Sequence, residues 1–193
     1  MKKEALIVID MQNGFIEEAS PLCIRHAKET VPACAKTINA ARSAGMVIIF
    51  VNRIYREDGS DVEKTRYEKW SAGGKPLTRS AQGDLSAENP KEFNKCESDY
   101  EIIKQRFSAF FQTELDMLLR RLGITKIYLA GTTTPNCIRT TCYDGLSLDY
   151  DVTIIEDCCS SNTYEIQASN CIDMLNVGAE VVMSREFIEG LGE

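Results

Sequence analysis

The segment Ile127-Tyr128-Leu129-Ala130-Gly131-Thr132-Thr133-Thr134-Pro135-Asn136-Cys137 carries the strongest structural signal in this chain. Its apolar beginning predicts a buried strand, and the polar residues after it predict a turn into a helix over 135–148. Thr134 is the expected N-cap of that helix, and Pro135 suits the first helical position, where an N–H would be unpaired. The Cys137 thiol is then expected in the first turn, where free N–H groups and the helix dipole favour a thiolate. Cys137 is therefore a candidate nucleophile, unless it is simply another buried cysteine.

Composition and charge limit the classes of protein to which the chain can belong. Its 193 residues suffice for one domain, 1–193, and 44% hydrophobic with 26% charged residues is typical of a globular protein. The formal net charge of −7 argues against nucleic acid as a partner, because binding along a phosphate backbone needs clustered Lys and Arg. No apolar stretch approaches the length of a membrane span, and the apolar run at 5–9 is too short for a signal peptide. We therefore expect a cytoplasmic protein that does not bind membranes.

The cysteines and the single histidine bear on redox state and metal binding. Eight cysteines in a chain without a secretory signal predict reduced thiols, and no Cys-x-x-Cys pair is present. His26 precedes the first long helix and lies away from any predicted strand end, so we expect it at the surface. With one histidine a structural zinc site is not expected, and neither is any cofactor.

Apolar runs alternate with helical patterns along most of the chain. Continuous apolar segments are typical of parallel strands that are buried on both faces. The predicted strands are 6–9, 46–51, 102–104, 126–130, 152–155 and 180–183, and the predicted helices are 30–44, 115–122, 135–148 and 164–177. A capping box, Thr113-Glu114-Leu115-Asp116, would begin the second of these helices. The alternation predicts an α/β protein with three layers, αβα and Rossmann-like, in which the sheet is the middle layer.

Residues 53–98 interrupt this alternation with a polar, glycine-containing stretch that is far longer than a usual connection. Long connections in compact domains are often lids or binding loops. We expect this excursion to be a lid, a subunit interface or both, with a short helix near 61–70.

Several side chains of the excursion are candidates for contact with a substrate. Trp70, the only tryptophan, is expected in the wall of the pocket or in a subunit contact. A guanidinium can bind a carboxylate through two hydrogen bonds, although it can equally pair with acidic residues around Asp58 and Asp61. The arginines to which both alternatives apply are Arg53, Arg56 and Arg66.

Three reactive side chains are expected at the carboxyl ends of the strands, where open α/β sheets bind their ligands. Asp10 follows the first strand, Lys104 ends the third, and Cys137 follows the fourth. Together a carboxylate, an ammonium and a thiol supply a base, an electrostatic partner and a nucleophile. Two alternatives remain open, since Asp10 could cap the turn at 11–14 and Lys104 could lie exposed on an edge strand.

The chain resembles the isochorismatase-like cysteine hydrolase superfamily along nearly its whole length. Three motifs carry the resemblance, in the same order and at matching intervals. They are Leu6-Ile7-Val8-Ile9-Asp10-Met11-Gln12-Asn13-Gly14-Phe15, Lys104-Gln105-Arg106-Phe107-Ser108-Ala109-Phe110 and Gly131 through Cys137. The resemblance implies a six-stranded parallel sheet flanked by helices, with the Asp–Lys–Cys triad of the family at Asp10, Lys104 and Cys137.

The resemblance also implies the surroundings of the nucleophile. A cis peptide bond is implied between Thr132 and Thr133, and it would turn the Thr133 N–H to join that of Cys137 as an oxyanion hole. Phe15 would line the substrate pocket. Members of the superfamily are commonly homodimers or homotetramers, so we expect the same of this chain.

The chain departs from the nicotinamidase branch of the superfamily in one informative place. Nicotinamidases carry an Asp-x-His…His metal site after the second strand, whereas residues 52–61 here contain no histidine. Metal-assisted nicotinamidase chemistry is therefore not expected, although Asp58 and Asp61 could bind a cation.

The resulting hypothesis is a cysteine hydrolase that cleaves a small amide, ureido or carbamoyl-type C–N bond through a thioester. Asp10 would accept the proton of Cys137, and Lys104 together with the helix start would lower the pKa of the thiol. Isochorismatase itself hydrolyses a vinyl ether and does not depend on a cysteine nucleophile. An isochorismatase-type reaction with Asp10 as the acid is therefore the first alternative, and a catalytically silent binding protein of the same fold is the second.

Overall fold

A six-stranded sheet forms the centre of the computed structural model, which describes residues 4–192. The strands are β1 (Glu4–Ile9), β2 (Val47–Arg53), β3 (Tyr100–Lys104), β4 (Lys126–Thr132), β5 (Asp151–Ser160) and β6 (Glu180–Val182). Neighbouring strands are all parallel and lie in the order β3-β2-β1-β4-β5-β6. The predicted α/β fold class with its six-stranded parallel sheet is confirmed.

Helices cover both faces of this sheet. They are α1 (Asn13–Ile16), α2 (Ala27–Ser43), α3 (Tyr67–Ala72), α4 (Leu115–Leu122), α5 (Arg139–Ser147), α6 (Tyr164–Asn176) and α7 (Ser184–Gly190). Leu6 and Val8 of β1 pack with α2 and α7 on one face, whereas Ile7 and Ile9 pack with α4, α5 and α6 on the other. Successive residues of a strand point to opposite faces, so burial of both faces explains the continuous apolar run of β1. Within residues 4–192, no helix is long and apolar enough to cross a membrane.

Most predicted elements exist, but several begin or end elsewhere. β3 and β5 are longer than predicted, and α2 begins at Ala27 instead of residue 30. Two short helices, α1 and α7, were not predicted, because each has too few residues for a clear periodic pattern. The expected capping box at α4 is absent: Leu115 N donates to Thr113 Oγ1 at 3.3 Å, whereas Asp116 pairs with Arg120 instead of the helix start. His26, expected at the surface, is half-buried.

The excursion between β2 and β3 packs against the rest of the fold through its own small core. Its helix, α3, lies later than the predicted 61–70. Trp70 is fully buried, donates from Nε1 to Pro76 O at 2.8 Å, and meets the Tyr55 ring at 6.1 Å between centroids. Phe15, which belongs to the region of α1, is part of the same apolar cluster. The excursion is therefore anchored beside the end of β1.

Gly131 provides a test of how closely β4 must approach β1. Its φ is +130°, and a Cβ placed there would lie 2.0 Å from the Ile9 carbonyl oxygen. Gly131→Ala should therefore displace the backbone next to Asp10 and lower the melting temperature strongly. Gly45→Ala is the matched control, because Gly45 has a φ of +75° but no neighbouring atom within 4 Å of the added Cβ. That control should lower the free energy of unfolding by only about 1–2 kcal/mol. Equal decreases in the melting temperature of the two variants would contradict the prediction.

Candidate active site

Asp10, Lys104 and Cys137 meet at the carboxyl edge of the sheet. Asp10 directly follows β1, Lys104 ends β3, and Cys137 lies in a π-helical turn, Thr134–Ile138, that follows β4. Lys104 Nζ donates to Asp10 Oδ2 at 2.6 Å and lies 3.5 Å from Cys137 Sγ. All three residues are at most 3% exposed. The structure thus brings the three predicted side chains into contact, and Lys104 is buried instead of exposed on its edge strand.

Asp10 is held so that one of its carboxylate oxygens has no hydrogen-bond donor. Its φ is +53°, and its N–H donates to Val51 O at 2.8 Å, which fixes the residue against β2. Oδ2 accepts from Lys104, whereas Oδ1 is buried without a hydrogen-bond partner among the protein groups of residues 4–192. Buried acceptors are normally paired, and an unpaired one calls for an explanation, of which a catalytic role is one. This oxygen is available to take a proton from the neighbouring thiol.

The Cys137 thiol does not have the lowered pKa that its position predicted. Burial raises the pKa of this thiol above its ordinary value, and the Asp10 carboxylate raises it further. Lys104 and Arg53 lower the pKa, but they do not offset the other two effects. The expectation of a thiolate at the helix start was therefore wrong, because it ignored burial and the adjacent carboxylate. The raised pKa disfavours the thiolate, so a nucleophile at this position would have to form by proton transfer to a neighbouring base.

The threonines before Cys137 tie its turn to the end of β5. The peptide bond between Thr132 and Thr133 is cis. The Thr133 hydroxyl donates to Ser160 O at 3.0 Å, and the Thr134 hydroxyl lies 3.1 Å from the same oxygen and 2.5 Å from a glutamine oxygen of α6. The prediction that Thr134 caps the helix was wrong, because its hydroxyl contacts β5 and α6 and forms no cap. The position of Cys137 therefore depends on β5 as well as on β4.

A pocket of about 250 Å³ gives access to the site. Its lining residues are Asp10, Phe15, Leu22, Cys23, Ile24, Arg66, Lys69, Thr132, Thr133, Asn136, Cys137 and Asn162. Phe15 thus lies in the pocket wall, where the resemblance placed it, and Leu22 and Ile24 extend the apolar surface. Arg66, which directly precedes α3, and Lys69, which lies within α3, add positive charge. Such a cavity suits a small ligand with an apolar part and an anionic group.

Arg53 lies behind this pocket and does not form part of its wall. The side chain is fully buried, and its guanidinium forms a close ion pair with Glu63. It also donates to Tyr55 Oη at 3.0 Å and to Arg106 O at 2.8 Å, while Nη2 lies 3.6 Å from Cys137 Sγ. The prediction that Arg53 binds a substrate carboxylate is therefore wrong, because its donors are directed to protein groups and it does not reach the pocket.

Other candidates from the excursion also have structural roles. Trp70 is buried in the core of the excursion, not in the pocket wall. Asp58 Oδ1 accepts from Ser60 N, and Asp61 Oδ1 accepts from Arg56 N, both at 2.9 Å, so these carboxylates stabilise the chain turn. Among the described residues, no group of three or more His, Cys, Asp or Glu is arranged to hold a metal ion.

Sequence reasoning missed Gln12 and Glu63. The Gln12 side chain is fully buried, accepts from Arg53 N at 2.7 Å and donates to Arg53 O at 2.9 Å. Its place in the motif that continues from the first strand was a signal, since an amide that becomes buried there needs partners. No local signal identified Glu63, because its pairing with Arg53 depends on the path of the excursion in three dimensions.

A buried carboxylate, ammonium and thiol at the carboxyl edge of a parallel αβα sheet are the features of the isochorismatase-like cysteine hydrolase superfamily. The isochorismatase domain family matches residues 4–186, and this chain belongs to it. The solved structure of an isochorismatase family protein from Desulfovibrio vulgaris superimposes with a TM-score of 0.92, at 37% identity and over 100% of both chains.

Two relatives bear on the chemistry of the family. A probable inactive nicotinamidase from Arabidopsis thaliana is 39% identical over 193 residues, which cover 98% of this chain and 97% of the relative. A ureidoacrylate amidohydrolase, RutB, from Variovorax paradoxus is 33% identical over 172 residues, which cover 79% of this chain and 67% of the relative. The family therefore contains hydrolases of amide-type bonds.

The raised pKa of Cys137 has a measurable consequence. Alkylation of Cys137 by iodoacetamide should titrate with an apparent pKa above that of an ordinary thiol, because burial and Asp10 disfavour the thiolate. Asp10→Asn should lower that apparent pKa, since it removes the neighbouring negative charge and leaves Lys104 in place. The measurement is the rate of modification of the Cys137 peptide against pH, by mass spectrometry.

Asp151→Asn removes the same charge from an exposed position at the amino end of β5 and should leave the titration unchanged. A wild-type Cys137 that titrates below pH 7 would contradict the prediction.

Proposed function

We propose that the protein hydrolyses a small amide, ureido or carbamoyl-type C–N bond through a thioester on Cys137. The proposal is carried by the contact of the Cys137 thiol with Lys104 and with the Asp10 carboxylate beside a small pocket. A nucleophile with an adjacent base and a fixed cation is what covalent acyl transfer requires. Membership of a family that contains an amidohydrolase supports the same chemistry.

The first half-reaction begins with a proton shift. Asp10 accepts the proton of Cys137 on its unpartnered oxygen, and the thiolate attacks the substrate carbonyl carbon. The oxyanion accepts hydrogen bonds from the N–H groups of Thr133 and Cys137, two residues that border the pocket. As the C–N bond breaks, Asp10 gives its proton to the departing nitrogen, and the thioester remains on Cys137.

The second half-reaction returns the site to its starting state. Asp10, again a carboxylate, accepts a proton from a water whose oxygen attacks the thioester carbonyl. The C–S bond then breaks, the acid product leaves, and the Cys137 sulfur takes the proton back from Asp10. Lys104 holds the carboxylate and lies close to the sulfur in both steps.

Cys137→Ala should abolish turnover, because the thioester can no longer form. We expect a loss on the order of a thousandfold or more, whereas Cys142→Ala, at a buried cysteine of the following helix, should retain activity. A panel of amides, ureido acids and isochorismate would be screened for product, with ammonia release followed for the C–N substrates. Wild-type protein quenched during turnover should carry the acyl mass on Cys137.

Two results of that screen would contradict the proposal. Turnover of isochorismate that survives in Cys137→Ala and is lost in Asp10→Ala would establish vinyl-ether hydrolysis instead. No turnover and no acylation of Cys137 with any member of the panel would favour a catalytically silent binding protein.

We further propose that the substrate carries a carboxylate, which Arg66 and Lys69 bind beside the pocket. The Arg66 side chain is 25% exposed, and its Nη1 lies 3.9 Å from the nearest Glu63 oxygen, too far for a hydrogen bond. Its N–H donors are therefore more accessible to a ligand than those of the fully buried Arg53.

Arg66→Gln should raise the KM for a ureido acid by about 10- to 100-fold, which corresponds to the loss of one charged hydrogen bond. The KM for a neutral amide of the same size should be nearly unchanged. Arg56→Gln removes an exposed arginine from the same excursion and serves as the control. An equal change in KM for both substrates would show that Arg66 supports the pocket without binding the carboxylate.

The homodimer or homotetramer and the cytoplasmic location stay predictions. Ile172 and Leu175 on α6 and Val177 beyond it are 58%, 54% and 47% exposed, and a subunit contact at this face would cover them.

A further inference from the structure

We infer that Arg53 is a second cationic residue of the catalytic centre, a role that rests on the proposed function. Arg53 Nη2 lies 3.6 Å from Cys137 Sγ and 3.9 Å from Asp10 Oδ2. Lys104 instead lies closer to the carboxylate, because its Nζ is 2.6 Å from Asp10 Oδ2 and 3.5 Å from Cys137 Sγ. When the thiol proton moves to Asp10, the new negative charge on the sulfur lies close to the Arg53 guanidinium. Arg53 therefore stabilises the thiolate.

The guanidinium is held in place before any reaction occurs. Gln12 binds both the N–H and the carbonyl oxygen of Arg53, which fixes the backbone. Glu63, the Tyr55 hydroxyl and the Arg106 carbonyl bind the guanidinium itself. A fixed charge does not have to reorient as charge develops on the sulfur, so its stabilising effect is larger than that of a mobile side chain.

The charges around the site balance. Burial lowers the pKa of Arg53, but neighbouring negative groups, Asp10 first among them, raise it well above its ordinary value. Burial raises the pKa of Glu63, yet Arg53 brings it below its ordinary value, so both members of this pair are ionised. Two carboxylates, Asp10 and Glu63, thus face two cations, Lys104 and Arg53. Transfer of the Cys137 proton to Asp10 leaves the net charge of this buried cluster unchanged.

Substitutions that remove the charge of Arg53 or of Glu63 distinguish an electrostatic effect on Cys137 from a purely structural role of the pair. Arg53→Gln should raise the apparent pKa for alkylation of Cys137 by about one to three pH units, the usual effect of a nearby cation. At neutral pH the alkylation rate should therefore fall about tenfold or more. Glu63→Gln should change the pKa in the opposite direction, because it leaves Arg53 unopposed. A purely structural pair predicts changes of the same sign in both variants.

The double variant Arg53→Gln with Glu63→Gln covers the case in which a single substitution leaves a buried charge unpaired and prevents folding. Its apparent pKa should stay above that of the wild type, because the cation near the sulfur is lost. Arg56→Gln, at an exposed arginine nearby, should match the wild type. A double variant that titrates like the wild type, or single variants that change the pKa in the same direction, would overturn the role of Arg53. Alkylation needs no substrate, so these outcomes are distinct from a failure of the C–N hydrolase proposal, which the substrate panel detects.

Discussion

The buried ion pair between Lys104 and Asp10 dictates how the strand ends are arranged. Moving two opposite charges out of water costs several kcal/mol per ion, and only close contact with good geometry offsets this. The two residues come from β3 and β1, which are separated by β2. Their 2.6 Å contact requires all three strands to end at the same level. β2 aligns the other two strand ends. Arg53 of β2 lies opposite Lys104 in the register of β2 and β3, and Asp10 N donates a hydrogen bond to Val51 O of β2.

A second buried pair, Arg53 with Glu63, explains why the long excursion is packed against the fold. Arg53 ends β2, but its partner belongs to the excursion, so the charge on the sheet is balanced only when that segment is docked. The same segment brings Arg66 to the pocket. If the whole excursion opened as a lid, Arg53 and Glu63 would lose their partners, at a cost typical of breaking a buried pair.

Local patterns predicted the sheet well and the electrostatics of the site poorly. Asp10, Lys104 and Cys137 could be located because each ends or follows an apolar run, and the family resemblance pointed to the same residues. The pKa of Cys137 depends on burial and on a carboxylate more than a hundred positions away, so a local helix-start rule gave the wrong direction. The N-cap preference of Thr134 was likewise overridden by a contact with Ser160.

A raised thiol pKa is compatible with an efficient nucleophile. Thiolates of higher pKa are intrinsically more nucleophilic, and a protonated thiol resists oxidation better than a thiolate does. The site therefore gains if Cys137 holds its proton at rest and loses it only to Asp10 during reaction. The balanced charges keep that transfer from creating a new buried charge, because the proton only moves within the cluster. In the proposed mechanism the proton on Asp10 is then in place for the departing nitrogen, so one shared proton would serve both the formation of the nucleophile and the release of the amine.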